Sequence, residues 1–393
     1  MAFIKKNKNK FKKWVGLVHL VLGLSSGLVI VLLGITGCIL AFEQEIRYVT
    51  EPAAFTEKKQ MSVLPPTILR DAAEKHLSGK KANDIEYPGE GRSAIVSYYD
   101  ADNYMTVAVD PYTAEVKKVK NMNRDFFRVV LDGHFYLWLP PSVGQPVIAT
   151  ATLIFLIMLV TGIILWWPKN KAALKQRFSV KWSAKWRRRN YDLHNVPGFY
   201  MSLAGIILAC TGLVFGFQWF ADSLYWVTNG GKPAAEAVYA TSDTIQRTAV
   251  PVNITDSLWS VTYKVVNDKQ SVSVHFAADP TSPIDITINN RPGTYYHTDI
   301  SSYDQYSGER LINKGTYAGK FSEATLADKI RRMNYDIHVG AVLGLPGKIL
   351  MFCASLIAAS LPVTGFYIWW GRRKKKPVRK FSGPASDLVS LQQ

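Results

Sequence analysis

Four apolar runs divide the chain: Trp14–Phe42, Val147–Trp167, Val196–Ala221 and Ile349–Trp370. A bilayer core of about 30 Å takes roughly 20 helical residues, so the pattern predicts four membrane-spanning helices. Between the first and second runs the period changes. "PTILRDAAEKHL" (66–77) has helical spacing, whereas "SAIVSYY" (93–99) and "YMTVAV" (104–109) alternate like strands. The stretch between the third and fourth runs is longer and carries a comparable strand–turn–strand piece. Each is expected to form a small α+β domain outside the membrane, the second with an insertion.

The runs repeat. "VTGIILWWPK" (160–169) and "VTGFYIWWGR" (363–372) close the second and fourth. "GITGCILAF" (34–42) and "LACTGLVFGF" (208–217) align on a Thr-Gly in the first and third. "VDPYTAEV" (109–116) stands beside "YDQYSGER" (303–310), each a strand, a polar turn and a strand. The unit is therefore span, outer domain, span, written twice in parallel and related by a pseudo-two-fold axis along the membrane normal. Equivalent residues are expected at one depth. The boundaries expected are 1–13 (basic tail), 14–46 (first span), 47–125 (first outer domain), 126–168 (interfacial segment and second span) and 169–190 (basic loop). The second copy follows as 191–221 (third span), 222–330 (second outer domain), 331–371 (interfacial segment and fourth span) and 372–393 (basic tail).

Charge orients this plan. The formal net charge is +17, but 22 of the 47 basic residues lie in 1–13, 168–190 and 371–380, tracts without acid, leaving 25 against 30 acidic. Short basic tracts flanking apolar spans are the positive-inside pattern, not a nucleic-acid surface. The termini and the 168–190 loop are expected in the cytoplasm and the two domains outside, with the spans among lipid. Ile35-Thr36-Gly37-Cys38 looks like a lipoprotein cleavage box, yet its apolar run is too long for a signal peptide, which favours a retained helix. Cys38, Cys210 and Cys353 all lie within spans, and no CxxC or CxxCH occurs. Disulfide frameworks, iron–sulfur clusters and c-type haem attachment are disfavoured accordingly.

Four of the seven histidines occupy equivalent places. His19 and His194 each precede a span's glycine (Gly37, Gly212) by 18 residues. His134 precedes Thr161 by 27 and His338 precedes Thr364 by 26. Topology puts His19 and His194 at the cytoplasmic ends of the first and third spans, and His134 and His338 just beyond the outer ends of the second and fourth. A lone histidine at a helix end is ordinarily a wet interfacial residue; four in register suggest function. His19, Gly23 and Gly27 share a stripe, as do His194, Gly198 and Ser202. Small-residue helix packing accounts for the glycines, and a flat porphyrin with an axial imidazole accounts for the histidines too. Zinc or copper competes, but zinc wants three or four ligands. The residues favour two haems b with paired histidine ligands, His19/His194 inside and His134/His338 outside. Trp166, Trp167, Trp369 and Trp370 are expected near the inner haem or as an interfacial belt. Arg124, Arg128, Arg331 and Arg332 are expected as propionate partners or as flanking charge. His76, His275 and His297 read as surface or core residues. No phosphate-binding, dinucleotide, zinc-protease or serine-hydrolase motif occurs.

The DPYTAEV turn, the paired TG…WW span ends and the HxxxG first spans resemble the PepSY-associated transmembrane helix family over essentially the whole chain. That resemblance implies PepSY-like outer domains. Part of the family is similar to bacterial inner-membrane ferrisiderophore reductases of the ferrioxamine reductase type, which implies His19, His134, His194 and His338 as haem ligands. Some such relatives add a cytoplasmic flavin reductase domain, and none is expected here. The expected activity is haem-dependent reduction of an extracytoplasmic ferric siderophore or other ferric chelate, with a quinol or a cytoplasmic reductase as donor. Two other readings remain: a non-enzymatic regulator of an extracytoplasmic peptidase, and a non-redox accessory protein of iron uptake.

Overall fold

The computed structural model describes residues 2–168, 174, 177–244 and 253–373, with side chains from residue 10 onward. The calls on 374–393 and on most of 169–176 lie outside the described residues. The first half runs α1 (Ala2–Leu40), α2 (Glu43–Thr50), α3 (Pro66–Glu74), β1 (Asp84–Tyr87), β2 (Ala94–Tyr99), β3 (Tyr104–Val109), β4 (Val116–Asn121), α4 (Phe126–Tyr136) and α5 (Pro141–Trp166). The second runs α6 (Trp186–Tyr200), α7 (Ser202–Gly216), α8 (Gln218–Thr228), α9 (Ile254–Tyr263), β5 (Ser271–His275), β6 (Ile284–Asn289), β7 (Thr298–Tyr303), β8 (Arg310–Leu311), α10 (Leu326–His338) and α11 (Leu345–Arg373).

Helices α1, α5 and α11 are long and apolar enough to cross a membrane. Exposed Leu17, Val21, Leu24 and Leu28 form one stripe of α1, while Ser26, Gly27, Ile30 and Gly34 turn inward. That split is what a helix with lipid on one side and neighbours on the other requires. The third apolar run differs from expectation. It does not form one straight span: α6 and α7 meet at Met201 with a bend of 65°. The polar "RRRNYDLHN" that opens α6 would be desolvated if it continued the axis of α7 into the apolar layer. Instead α6 packs on α11, with Asn190 and Asp192 buried. The first basic tract also departs from a separate tail, because α1 already begins at Ala2.

The two outer domains are not separate units. Their strands join in one antiparallel sheet of order β4-β3-β2-β1-β5-β6-β7-β8. The junction pairs Asp84 with His275 and Ile85 with Val274. On one face Ile85, Val96, Val107, Val272 and Val274 form a shared core with Leu69 of α3 and Trp259 of α9. Each such side chain contributes about 1.5–3 kcal/mol on burial, so neither half keeps its core alone. Thr67 of α3 also hydrogen-bonds Asp256 of α9 through its backbone N–H (3.1 Å) and its hydroxyl (2.5 Å). The opposite face is polar and looks toward the bundle. Lys120 reaches Asp125 at 2.6 Å, and the guanidinium of Arg128 lies over the Tyr104 ring.

Helices α4 and α10 leave the sheet and fold onto the bundle before the chain reverses into α5 and α11. Side-chain caps start both: Asp125 accepts from Arg128 N at 3.2 Å, and Thr325 from Asp328 N at 3.1 Å. Asp125 also takes Arg47 of α2, and these partners hold its carboxyl well below the usual range against the opposing effect of burial. The reversals are close enough to demand glycine. A Cβ on Gly144 would lie 2.0 Å from the Tyr136 carbonyl oxygen, and one on Gly347 2.1 Å from that of Gly340.

Candidate functional site

The bundle brings the four repeat-related histidines together in two pairs, each taking one residue from either half. His19 of α1 faces His194 of α6 at the end away from the sheet, with ring centroids 6.5 Å apart and planes at 88°. His134 of α4 faces His338 of α10 at the sheet end, at 6.3 Å and 64°. Seventeen residues of α1, roughly 25 Å of helix, separate His19 from Thr36, against which His134 rests. The two pairs therefore sit near opposite ends of the bundle.

Each imidazole is seated in the same way, on a Thr-Gly dipeptide of another helix. His19 Nδ1 is 2.8 Å from Thr161 Oγ1, His134 Nδ1 2.8 Å from Thr36 Oγ1, His194 Nδ1 2.9 Å from Thr364 Oγ1 and His338 Nδ1 2.8 Å from Thr211 Oγ1. The neighbouring glycine receives the ring's Cε1 edge. A Cβ built on Gly162, Gly37, Gly365 or Gly212 would stand 3.5, 3.5, 3.3 or 3.7 Å from that atom. The Thr-Gly that marks the repeat in sequence is thus a receptor for a histidine, used four times. Among the described residues no protein group hydrogen-bonds any of the four Nε2 atoms.

Sequence reasoning missed a further pair. Asn190 Nδ2 donates to the Thr364 carbonyl at 3.0 Å, and Asn334 Nδ2 to that of Thr211 at 3.1 Å. Each asparagine stands four residues before its histidine. The signal was there to find, since "RRRNYDLH" (187–194) and "RRMNYDIH" (331–338) are nearly one octapeptide. The aspartates of that motif hold covering loops. Asp192 accepts from Lys181 N at 3.3 Å and Asp336 from Tyr295 N and Tyr296 N at 2.9 and 2.8 Å. In the first half buried Val15 and Val130 stand four residues before His19 and His134, so the two histidines of each pair are anchored unequally.

A metal held between two opposed imidazoles at about 2 Å from each nitrogen sets the ring centres about 6.3 Å apart, whereas a tetrahedral angle would bring them to about 5.1 Å. The observed 6.5 and 6.3 Å match the ring spacing of the first case rather than the second. No group of three or more His, Cys, Asp or Glu suited to a metal exists among the described residues. A metal between either pair would take its remaining coordination from something the protein does not supply.

A cavity of about 570 Å³ opens beside His19 and His194, within the roughly 300–1,000 Å³ usual for cofactor sites. Six glycines line it, Gly16, Gly23, Gly27, Gly162, Gly198 and Gly365, and their missing side chains make the room. Lys12, Lys13 and Arg372 also line it, with no acidic residue. Gly23 and Gly198 serve packing as well, lying against Met158 and Leu361. Trp166 and Trp369 are in its wall, while Trp167 and Trp370 are exposed. The Trp166 indole stacks on Phe199 at 3.6 Å and its buried N–H has no acceptor among the described residues. At the sheet end Phe135 and Phe215 flank the histidines.

Arg128 and Arg332 do not join the sheet-side pair. Each precedes its histidine by six residues, which turns it about 120° away around the helix. Arg128 covers Tyr104, and Arg332 donates to the Thr298 carbonyl and lies over Phe321. Lys12, Lys13 and Arg372 line the cavity beside the other pair. Of the other histidines, His76 is exposed, His297 stacks on Tyr296, and His275 pairs across the sheet with Asp84. Burial raises the carboxyls of Asp84 and Glu86 on the polar sheet face, opposed by His275 for the first and a hydrogen bond from Ser271 for the second.

The fold and site define a helical membrane protein with three to four candidate spans, a sheet domain at one end and two interhelical histidine pairs. The chain belongs to the family described as PepSY-associated TM region, whose model matches residues 17–372 and takes in all four paired histidines. No curated protein matches it.

Proposed function

We propose that the protein is a four-span, two-haem oxidoreductase of the bacterial inner membrane that delivers electrons to an extracytoplasmic ferric chelate such as a ferric siderophore. The observation that carries this reading is the spacing of the two imidazole pairs. Two imidazoles at that spacing, with no third protein ligand among the described residues, would suit a flat macrocycle that supplies the rest of the coordination, so the residues present fit b-type haem. His19 and His194 would hold one such group, and His134 and His338 the other. Haem iron supplies one-electron chemistry whose potential the protein tunes through ligands, hydrogen bonds and burial.

The chain's own contribution is geometric and electrostatic. The six glycines of the tail-side cavity admit a flat ring, and Lys12, Lys13 and Arg372 complement carboxylates at its edge. Phe135 and Phe215 keep water from the sheet-side pair. With the bent α6–α7 pair counted as the third span and both termini in the cytoplasm, a quinol or cytoplasmic reductase donates at the tail side. The acceptor docks at the polar sheet face, where Asp84, Glu86, His275 and Tyr104 lie above the bundle. Since the two halves share one sheet, the acceptor meets a continuous face rather than a cleft between two domains.

The test is an absorption spectrum of detergent-purified protein, oxidised and then dithionite-reduced, with a pyridine haemochrome count. Low-spin b-type bands and two haems per chain are expected. A colourless protein from haem-replete cells refutes the proposal and leaves a non-enzymatic role for the sheet domain, such as binding a peptidase.

A further inference from the structure

We propose that Thr36, Thr161, Thr211 and Thr364 are positioning residues that fix the tautomer of the four paired histidines, each holding its imidazole as the Nδ1–H form with Nε2 unprotonated. The hydrogen-bond geometry supports it. Each threonine hydroxyl lies close to the carbonyl four residues back on its own helix: Thr36 to Leu32 at 2.7 Å, Thr161 to Ile157 at 2.9 Å, Thr211 to Ile207 at 2.7 Å and Thr364 to Ser360 at 3.0 Å. A carbonyl has no proton to give, so in each of these contacts the hydroxyl is the donor. Toward the histidine the oxygen then offers only lone pairs. With the hydroxyl turned that way, a histidine nitrogen at 2.8–2.9 Å from it donates, which places the proton on Nδ1 and leaves the lone pair on Nε2.

The same geometry at four sites, in helices whose sequences otherwise differ, makes an accidental contact a poor explanation. Its consequence for a ligated metal rests on the haem reading above: a hydrogen bond accepted from the far nitrogen makes the imidazole more basic, which favours the oxidised iron. Losing the acceptor therefore raises the midpoint potential of that haem. The four threonines act through the histidines and touch no reacting atom.

The first measurement is ¹⁵N NMR of ¹⁵N-histidine-labelled, haem-free full-length protein, comparing wild type with Thr36→Val and Thr36→Ser. Wild type and Thr36→Ser are expected to show His134 as Nδ1–H. Thr36→Val, which keeps the volume and removes the hydroxyl oxygen while the Leu33 carbonyl remains, is expected to release His134 into a tautomer mixture and leave His19 and His194 unchanged. A His134 that stays Nδ1–H in Thr36→Val overturns the inference. In the haem-loaded protein, Thr36→Val is expected to raise the potential of one haem, lower its retention by about 10–100-fold, and spare the other; Thr161→Val does the reverse, and serine restores both. Equal shifts at both haems, or none, also overturn it. If wild type binds no haem, the oxidoreductase proposal fails while the NMR comparison still decides the threonines.

Discussion

Gly34 gives the sharpest stability test. An alanine there would put its methyl 2.7 Å from Ala359 Cβ, 2.7 Å from the Ser355 carbonyl oxygen and 2.9 Å from Ala359 N. Two of those three atoms are backbone, so no side-chain rotation relieves the contact. Ordinary separations are about 3.5–4.0 Å, and α1 and α11 must part by roughly 1 Å to restore them. Among the described residues their seam is the most extensive helix contact, and overpacking of this kind costs about 1–3 kcal/mol. Gly162→Ala is the control, because its methyl would meet only His19 Cε1, at an ordinary 3.5 Å. Thermal unfolding in detergent, followed by tryptophan fluorescence, should drop by a few degrees for Gly34→Ala and hardly move for Gly162→Ala. Gly34 lies within one turn of Thr36 and Gly37, where His134 rests. Any loss of ligand binding should therefore fall on the sheet-side pair. A Gly34→Ala protein as stable as wild type, or a Gly162→Ala protein equally damaged, would refute the reasoning.

Three further outcomes are expected. Ala114 holds φ +60° in the turn where the second repeat has Gly308 at +72°; Ala114→Gly should gain about 1 kcal/mol, the relief of a left-handed alanine less the entropy of glycine, and a loss in chemical denaturation would contradict it. Buried Asp110 accepts from Tyr112 N, Thr113 N, Thr56 and Lys59, which hold its carboxyl down to about 2 despite burial. A depressed folded value means stability present above about pH 4 and lost as pH falls toward 2, about 2 kcal/mol in all. The stability gap between wild type and Asp110→Asn should close over that window, and a gap independent of pH would count against the assignment. Replacing His19 or His194 by alanine should leave one haem per chain by haemochrome count, as should replacing His134 or His338. Complete loss from any one substitution would argue against two independent pairs.

Much of the site was legible without coordinates because its marks are local. Apolar runs longer than a bilayer is thick, a Thr-Gly and a Trp-Trp recurring at fixed places, and histidines in register are statements about neighbouring residues. Pseudo-symmetry alone then paired His19 with His194 and His134 with His338. The PepSY-associated family was likewise readable from the motifs the two halves share. The helix faces of Gly23 and Gly198 followed from a 3.6-residue turn.

What the chain could not disclose depends on which distant surfaces meet. Whether two outer domains stand apart or fuse is decided by β1 and β5, whose paired residues Asp84 and His275 lie 191 positions apart; nothing in either strand names its partner. The bend at Met201 reflects where α6 finds a polar seat on α11, and apolar counting sees only a run that begins at Val196. Arg128 and Arg332 precede their histidines closely enough in sequence to suggest a shared ligand, yet helical rotation turns them to the sheet. The threonines were visible as repeat markers, and only the packing of α4 on α1, or of α10 on α7, shows what they hold. Composition and periodicity decide which residues leave water. Hydrogen-bond partners are chosen only when helices far apart in the chain are brought within 3 Å, and that is a property of the assembled bundle.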